Sequence, residues 1–398
     1  MPLRTYGRAR RRSGRALRGA GAVLLLVAVV AAAVALVSGV PLPLARGSRG
    51  AGAASPPASE PSTAAIPAHA AEPEPEPVES RQATLTVAAV GDMIFDRKVA
   101  ALIAASGGEA PLARVAPLLA RADIAVGNLE SPLASGGTRK ADKDVTFRGD
   151  PRGIEGLRLA GFDFLSLANN HALDYGPEAL AETVAALDAA AIGHAGAGGD
   201  REAAWRPAIA ERHGASVAFL SFSHILPAGF IATSGKAGIA QGRENMPAVL
   251  EAIRAAKEEH DYVLVSFHWG VEYADHANGD QVRDAKAAVD AGADMVLAHH
   301  PHVIQGVQRY RGALIAYSTG DFVFDHYSRK TGEAFILDAE LGPDGVGDVS
   351  FTPVYLDGNG RPDVVTGPEA RVILQRLRDI SAPLGGKVVL TGDTAVLR

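Results

Sequence analysis

Three imidazoles fall within four residues at His299-His300-Pro301-His302, directly after the apolar run Met295-Val296-Leu297-Ala298. Neutral imidazole is a common ligand for divalent metals. Pro301 disfavours the helical conformation for His300, so the spacing predicts an extended backbone. In such a backbone His300 and His302 aim at one point, while His299 aims away and supports the pair from behind. Two converging imidazoles are half of a metal site. The other ligands must be nitrogen or oxygen, because the chain has no cysteine and so neither disulfides nor thiolate sites.

Short apolar runs supply them, each ending in a residue able to bind a cation or move a proton. Leu85–Val90 leads to Asp92, and Ile124–Val126 to Asn128 and Glu130. Phe164–Ala168 leads to Asn169, Asn170 and His171, Val217–Phe222 to His224, Val263–Phe267 to His268, and Leu314–Thr319 to Asp321. In α/β sheets ligands sit beyond the carboxyl ends of strands. Asp92, Glu130, Asn170, His268, His300 and His302 match the ligand types of a metal centre for phosphoester chemistry, and His171 is placed as the catalytic imidazole outside the ligand set. Taken singly, each is as well explained by a turn, a cap or a satisfied histidine; capping needs alone do not put seven of them at strand ends. His224, His276 and His326 are given no role.

The elements that must hold these residues are strands alternating with alanine-rich helices, the pattern of α/β layering. Gly176-Pro177 followed by Leu180, Val184 and Leu187 starts a helix with proline in its first turn, and Met246-Pro247 with Val249, Leu250 and Ile253 reads likewise. Val282–Val289 is a third such stretch. Asp357–Gly360 marks a turn between late strands.

The chain has 398 residues with 39 basic and 45 acidic side chains, a net charge of −6. The charge is unevenly spread. Seven arginines lie within residues 1–18 and leave the remainder acidic, which argues against nucleic acid as a partner of the body of the protein. Gly19–Val40 carries no charge and is long enough to cross a bilayer, and the preceding arginines place the N-terminus in the cytoplasm. Residues 41–83, rich in proline, alanine and glutamate, bury too little to fold and read as a disordered linker. The expected organisation is therefore a basic cytoplasmic segment (1–18), a single-pass transmembrane anchor (19–40) preferred over a cleaved signal peptide, the linker (41–83), and one extracytoplasmic domain (84–398).

Val90-Gly-Asp-Met-Ile-Phe-Asp96, Gly127-Asn-Leu-Glu-Ser-Pro-Leu133, Ser166–Gly176, Ser266–Tyr273, Ala298–Val303 and Ala316–Phe324, in that order, resemble the successive motifs of the CapA family of poly-γ-glutamate capsule biosynthesis proteins. The resemblance implies the calcineurin-like metallophosphatase fold, an αββα sandwich. It places Asp92 at the first metal motif, Asn170 and His171 at the Asn-His motif as ligand and catalytic imidazole, His268 at the isolated histidine ligand, and His300 with His302 at the final pair. Metallophosphatases carry histidine where this chain has Ile94 and a bridging aspartate where it has Asn128-Leu129-Glu130; the CapA family shares both changes. Ala298 stands where glycine is common, and Asp321 where asparagine is common, adding a supporting or supplementary carboxylate. Asn128, Asn169, Asp174, Trp269, Glu272, Tyr273 and His299 are expected to support the ligands or line the substrate cleft.

The implied cofactor is one or two divalent ions, Mn, Zn or Fe. The implied role is in synthesis, export or anchoring of poly-γ-glutamate at the cell surface. Membrane subunits of a polyglutamate synthase are the expected protein partners, and an anionic polymer or envelope material the expected substrate. The alternatives are a metal-dependent phosphoesterase or other hydrolase of the envelope, and a non-catalytic binding subunit with a residual metal site.

Overall fold

The computed structural model describes residues 83–398. The basic segment, the expected anchor at 19–40 and the linker up to residue 82 lie outside the described residues. Among those described, no helix is long and apolar enough to cross a membrane.

Alternation along the strands dictates the layers. In the strand Leu85–Met93, Leu85, Val87 and Ala89 join one apolar cluster while Ala88, Val90 and Met93 join another, so both faces of the strand are buried. The same split runs through Ala215–Ser223, where Val217 and Phe219 face inward and Ala218, Leu220 and Phe222 face outward. The shared inner cluster joins a ten-stranded sheet containing Leu85–Met93, Ile124–Leu129 and Phe164–Ser166 to a six-stranded sheet containing Ala215–Ser223, Tyr262–His268 and Met295–His299. Helices Arg97–Ser106 and Gly176–Ala189 cover the outer face of the first sheet through Val99, Ile103, Leu180 and Leu187. Helices Met246–Glu259 and Gly279–Asp290 cover the second through Val249, Ile253, Ala285 and Ala288. The order is helix, sheet, sheet, helix, as expected, and the three helices read from the sequence all form.

Local signals set the helix starts. Pro177 and Pro247 sit in first turns, where the missing N–H costs nothing. Asn278 caps Gly279–Asp290, accepting from Gln281 N at 3.0 Å while the Gln281 side chain accepts from Asn278 N, a reciprocal pair of a kind that contributes about 1 kcal/mol.

Parallel pairing then places the chemistry. Strand Leu85–Met93 lies between Ile124–Leu129 and Asp321–Val323, with Asp92 opposite both Asn128 and Asp321. Gly91 makes this possible. A Cβ there would stand 1.9 Å from the Gly320 carbonyl oxygen, which accepts from Asp92 N at 2.9 Å. In the other sheet His268 lies opposite His299 at the ends of neighbouring parallel strands.

Candidate metal centre

The carboxyl ends of the two sheets meet at Asp92. Its Oδ1 accepts from Asn128 Nδ2 at 2.8 Å, and its Oδ2 accepts from the backbone N–H of His300, in the opposite sheet's loop, at 3.0 Å. His299 supports it from behind, with Nδ1 3.5 Å from Asp92 Oδ1. Asn169 ties the next layer together by donating to Leu129 O and Asn128 Oδ1 and accepting from His171 N.

The backbone that delivers the histidines departs from expectation. His300 is not extended: its φ is 97°, and His302 has φ 56°. Such angles cost a non-glycine residue about 1–3 kcal/mol and persist only where surroundings over-determine them. Here Asp92 captures the His300 N–H and the Pro301 carbonyl accepts from Tyr273 N at 2.8 Å. The convergence inferred from an extended strand is therefore reached by a left-handed loop, with the His300 and His302 rings 5.8 Å apart.

Two overlapping sets of donor atoms result, one of Glu130, His300 and His302 and one of Asp92, His302 and Asp321, each with its atoms within 4.8 Å of one another. All five residues are buried. His268 and Asn170 adjoin the first set: His268 Nε2 is 2.7 Å from Asn170 Oδ1 and 3.5 Å from Glu130 Oε1. His302 Nδ1 is 2.8 Å from Asp321 Oδ1, and His302 Nε2 is 4.0 Å from Glu130 Oε1. Neither oxygen of Glu130 accepts a hydrogen bond among the described residues, and His300 Nδ1 and His268 Nδ1 have no partner either.

Electrostatics follow from this crowding. Burial, and then the charge of Asp92, hold the Glu130 carboxyl well above its ordinary value; burial also raises Asp92 and Asp321. Burial pushes His300 down to about 3 and His268 well below the imidazole range. Burial pulls His302 down as well, but Asp321, Glu130 and Asp92 together raise it well above that range. The six expected ligands thus share one buried cluster in which His268 and His300 are held neutral and the Glu130 carboxyl has no hydrogen-bond partner among the described residues.

Beside it opens a cleft of about 400 Å³, lined in part by Asn170, His171, His302 and Asp321. His171 Nδ1 lies 2.6 Å from Asp174 Oδ2 and its ring packs 4.2 Å from that of Phe147. Burial lowers its pKa to about 4 against the pull of Asp174. Lys143, which the sequence did not single out, donates to Asn170 O and Asp174 Oδ1 at 2.5 Å and sits 2.9 Å from His171 Nδ1. Tyr273, expected to line a cleft, does so, and Arg97, Phe147 and Tyr327 line it without having been singled out; Lys143 and Phe147 come from an irregular loop whose sequence carries no period. Glu272 is on the rim. Trp269 is not: it is fully buried in the outer core, stacked 4.7 Å from Phe267, with Nε1 donating to Tyr317 O at 3.0 Å. The residue alternation that turns His268 inward turns Trp269 outward.

His224 also stays outside the cluster, its ring packed edge-on to Phe267 and Trp269 and its Nδ1 3.9 Å from Asp284 Oδ2. Burial lowers its pKa from 6.5 to about 4, with Asp284 opposing. Between those values the unfolded chain binds the proton and the native protein does not, so stability falls as pH drops through that window. In His224→Gln the loss of unfolding free energy between pH 7 and pH 4 is expected to shrink by roughly 3 kcal/mol. Denaturant titrations of both proteins across this range check it; parallel curves would refute it.

Residues 86–326 match the family model described as bacterial capsule synthesis protein PGA_cap. The chain is 32% identical over 314 residues to the capsule biosynthesis protein CapA of Bacillus anthracis, covering 77% of this chain and 76% of that one. It is 30% identical over 272 residues to the PGA biosynthesis protein CapA of Bacillus subtilis, covering 68% and 71%. A probable polyglutamine synthesis accessory protein of Mycobacterium tuberculosis is 33% identical over 229 residues, covering 55% and 60%. A solved 5'-nucleotidase precursor from Thermus thermophilus aligns with 76% of this chain and 59% of its own at 15% identity and a TM-score of 0.36, too remote to carry an argument. The chain belongs to the PGA_cap family of bacterial capsule synthesis proteins.

Proposed function

We propose that this protein takes part in the synthesis, export or surface anchoring of poly-γ-glutamate, as an extracytoplasmic domain held to the membrane by residues 19–40, and that it acts through a divalent-metal centre. The observation that carries this reading is the span of the family match, which contains every residue of the donor cluster from Asp92 to Asp321. The relative from M. tuberculosis is named a probable polyglutamine synthesis accessory protein, which supports a polymer synthase as the partner here.

The residues fit a cation on their own terms. A buried carboxylate with two bare oxygens, as at Glu130, is costly unless a positive charge offsets it. Glu130, His300, His302, His268, Asn170 and Asp92 would hold the ion, and nitrogen and oxygen ligands of this kind suit Mn, Zn or Fe. A divalent ion bound there supplies Lewis acidity towards a phosphoryl or carbonyl oxygen. Around it Asp92 braces the His300 loop and Asp174 orients His171, while Arg97 and Lys143, ion-paired with Asp325 and Asp174, are the cations on the cleft wall.

Elemental analysis of the protein purified without chelator is expected to find metal in the wild type and to find it lost in His300→Ala and Asp92→Ala; a metal-free wild type would sink the metal reading. Loss of surface polymer in a deletion strain tests the capsule role independently. A second reading, an envelope phosphoesterase, is favoured by the His171–Asp174 pair on the cleft wall.

A further inference from the structure

Three carboxylates, Asp92, Glu130 and Asp321, converge in this cluster, each buried and none paired with lysine or arginine among the described residues. One divalent ion leaves such a group short of positive charge. His302 stands between the two donor sets, with Nδ1 near Asp321 (2.8 Å) and Asp92 (3.8 Å) and Nε2 4.0 Å from Glu130. A neutral imidazole ligates through one nitrogen, so His302 can complete only one set. Nδ1 is the nitrogen flanked by two carboxylates. The other set has substitutes at hand, since His268 Nε2 and Asn170 Oδ1 lie beside Glu130 and the His268 and His300 rings are 4.8 Å apart.

We infer that Asp321 is itself a cation ligand in this chain, completing a position beside the one built around His268 and His300. Asp92, Asp321 and His302 Nδ1 form this position; His268, His300 and Asn170 form the other, and Glu130, whose two oxygens are both bare, serves both. The β-sheet register builds the first position, because Asp321 is the parallel neighbour of Asp92 and Gly91 admits the Gly320 carbonyl that brings the strands together. Asp321 thereby supplies a ligand to the cation that Ile94, buried with Phe147, Phe324 and Leu356, cannot serve. This inference rests on the metal-centre reading above.

The full chain, stripped with chelator and titrated with Mn²⁺, is expected to take up two ions in the wild type and one in Asp321→Asn, a substitution that keeps size and shape. The Mn²⁺ electron paramagnetic resonance signal should change from exchange-coupled to that of an isolated ion. Asp321→Ala, checked for folding by circular dichroism, should behave the same way. A wild-type stoichiometry of one, or two ions retained by both variants with affinity within threefold, overturns the role of Asp321 and leaves the metal centre standing. A wild type that binds no ion overturns both.

Discussion

Glu130→Gln is expected to raise the stability of the metal-free protein and to abolish its stabilisation by divalent metal. The side chain is fully buried, accepts no hydrogen bond, and faces the like charge of Asp92. Its carboxyl is held well above 4.5 in the native state. Between these values the native protein keeps a proton that the unfolded chain has released, so stability contributed by the neutral form is lost as pH rises through the native value. Glutamine stays neutral at every pH, and its advantage therefore grows with pH. Leaving a buried polar group without a partner costs about 1–3 kcal/mol, and we expect a gain within that range at pH 8 in chelator. With Mn²⁺ at about a hundred times its dissociation constant the wild type should gain about 2.7 kcal/mol, whereas the variant gains little. The order of stabilities therefore inverts between the two conditions. Urea unfolding with and without metal reads it directly; a variant less stable than wild type in chelator would mean that Glu130 is compensated by something other than a cation.

The inversion is informative because most of the cluster could be read from residue types at strand ends. Asp92, Glu130, Asn170, His171, His268, His300 and His302 follow apolar runs, and parallel pairing brings such ends to one edge. The conformation of the His300 loop was not legible, since Pro301 disfavours helix but does not choose between extended and left-handed backbone. That choice is made by Asp92, 208 positions away along the chain. Lys143 was hidden for a related reason: its role comes from contacts with Asn170 and Asp174, and nothing in its own neighbourhood has a period to read. Trp269 is the opposite case. Phe267 and Trp269 fall in one outer cluster with His268 turned between them, and strict alternation already carried that answer.

His171→Ala is expected to leave the metal content unchanged while lowering any turnover of phosphomonoesters or diesters by about 10²–10⁴-fold, the usual contribution of a positioned proton donor or acceptor. His171 belongs to neither donor set. Its ring is fixed by Asp174 on one nitrogen and by Phe147 against its face, and it borders the cleft shared with His302 and Asp321. A substrate oxygen held in that cleft would meet an imidazole already oriented, with Lys143 adding positive charge beside it. Elemental analysis and turnover measured on the same preparations separate the possibilities. Metal lost together with activity would make His171 a ligand instead. In a deletion strain, surface polymer restored by His171→Ala but not by His300→Ala would mean that the cell uses the cation site to bind the polymer and needs no proton transfer, which decides between the capsule component and the hydrolase on a single pair of substitutions.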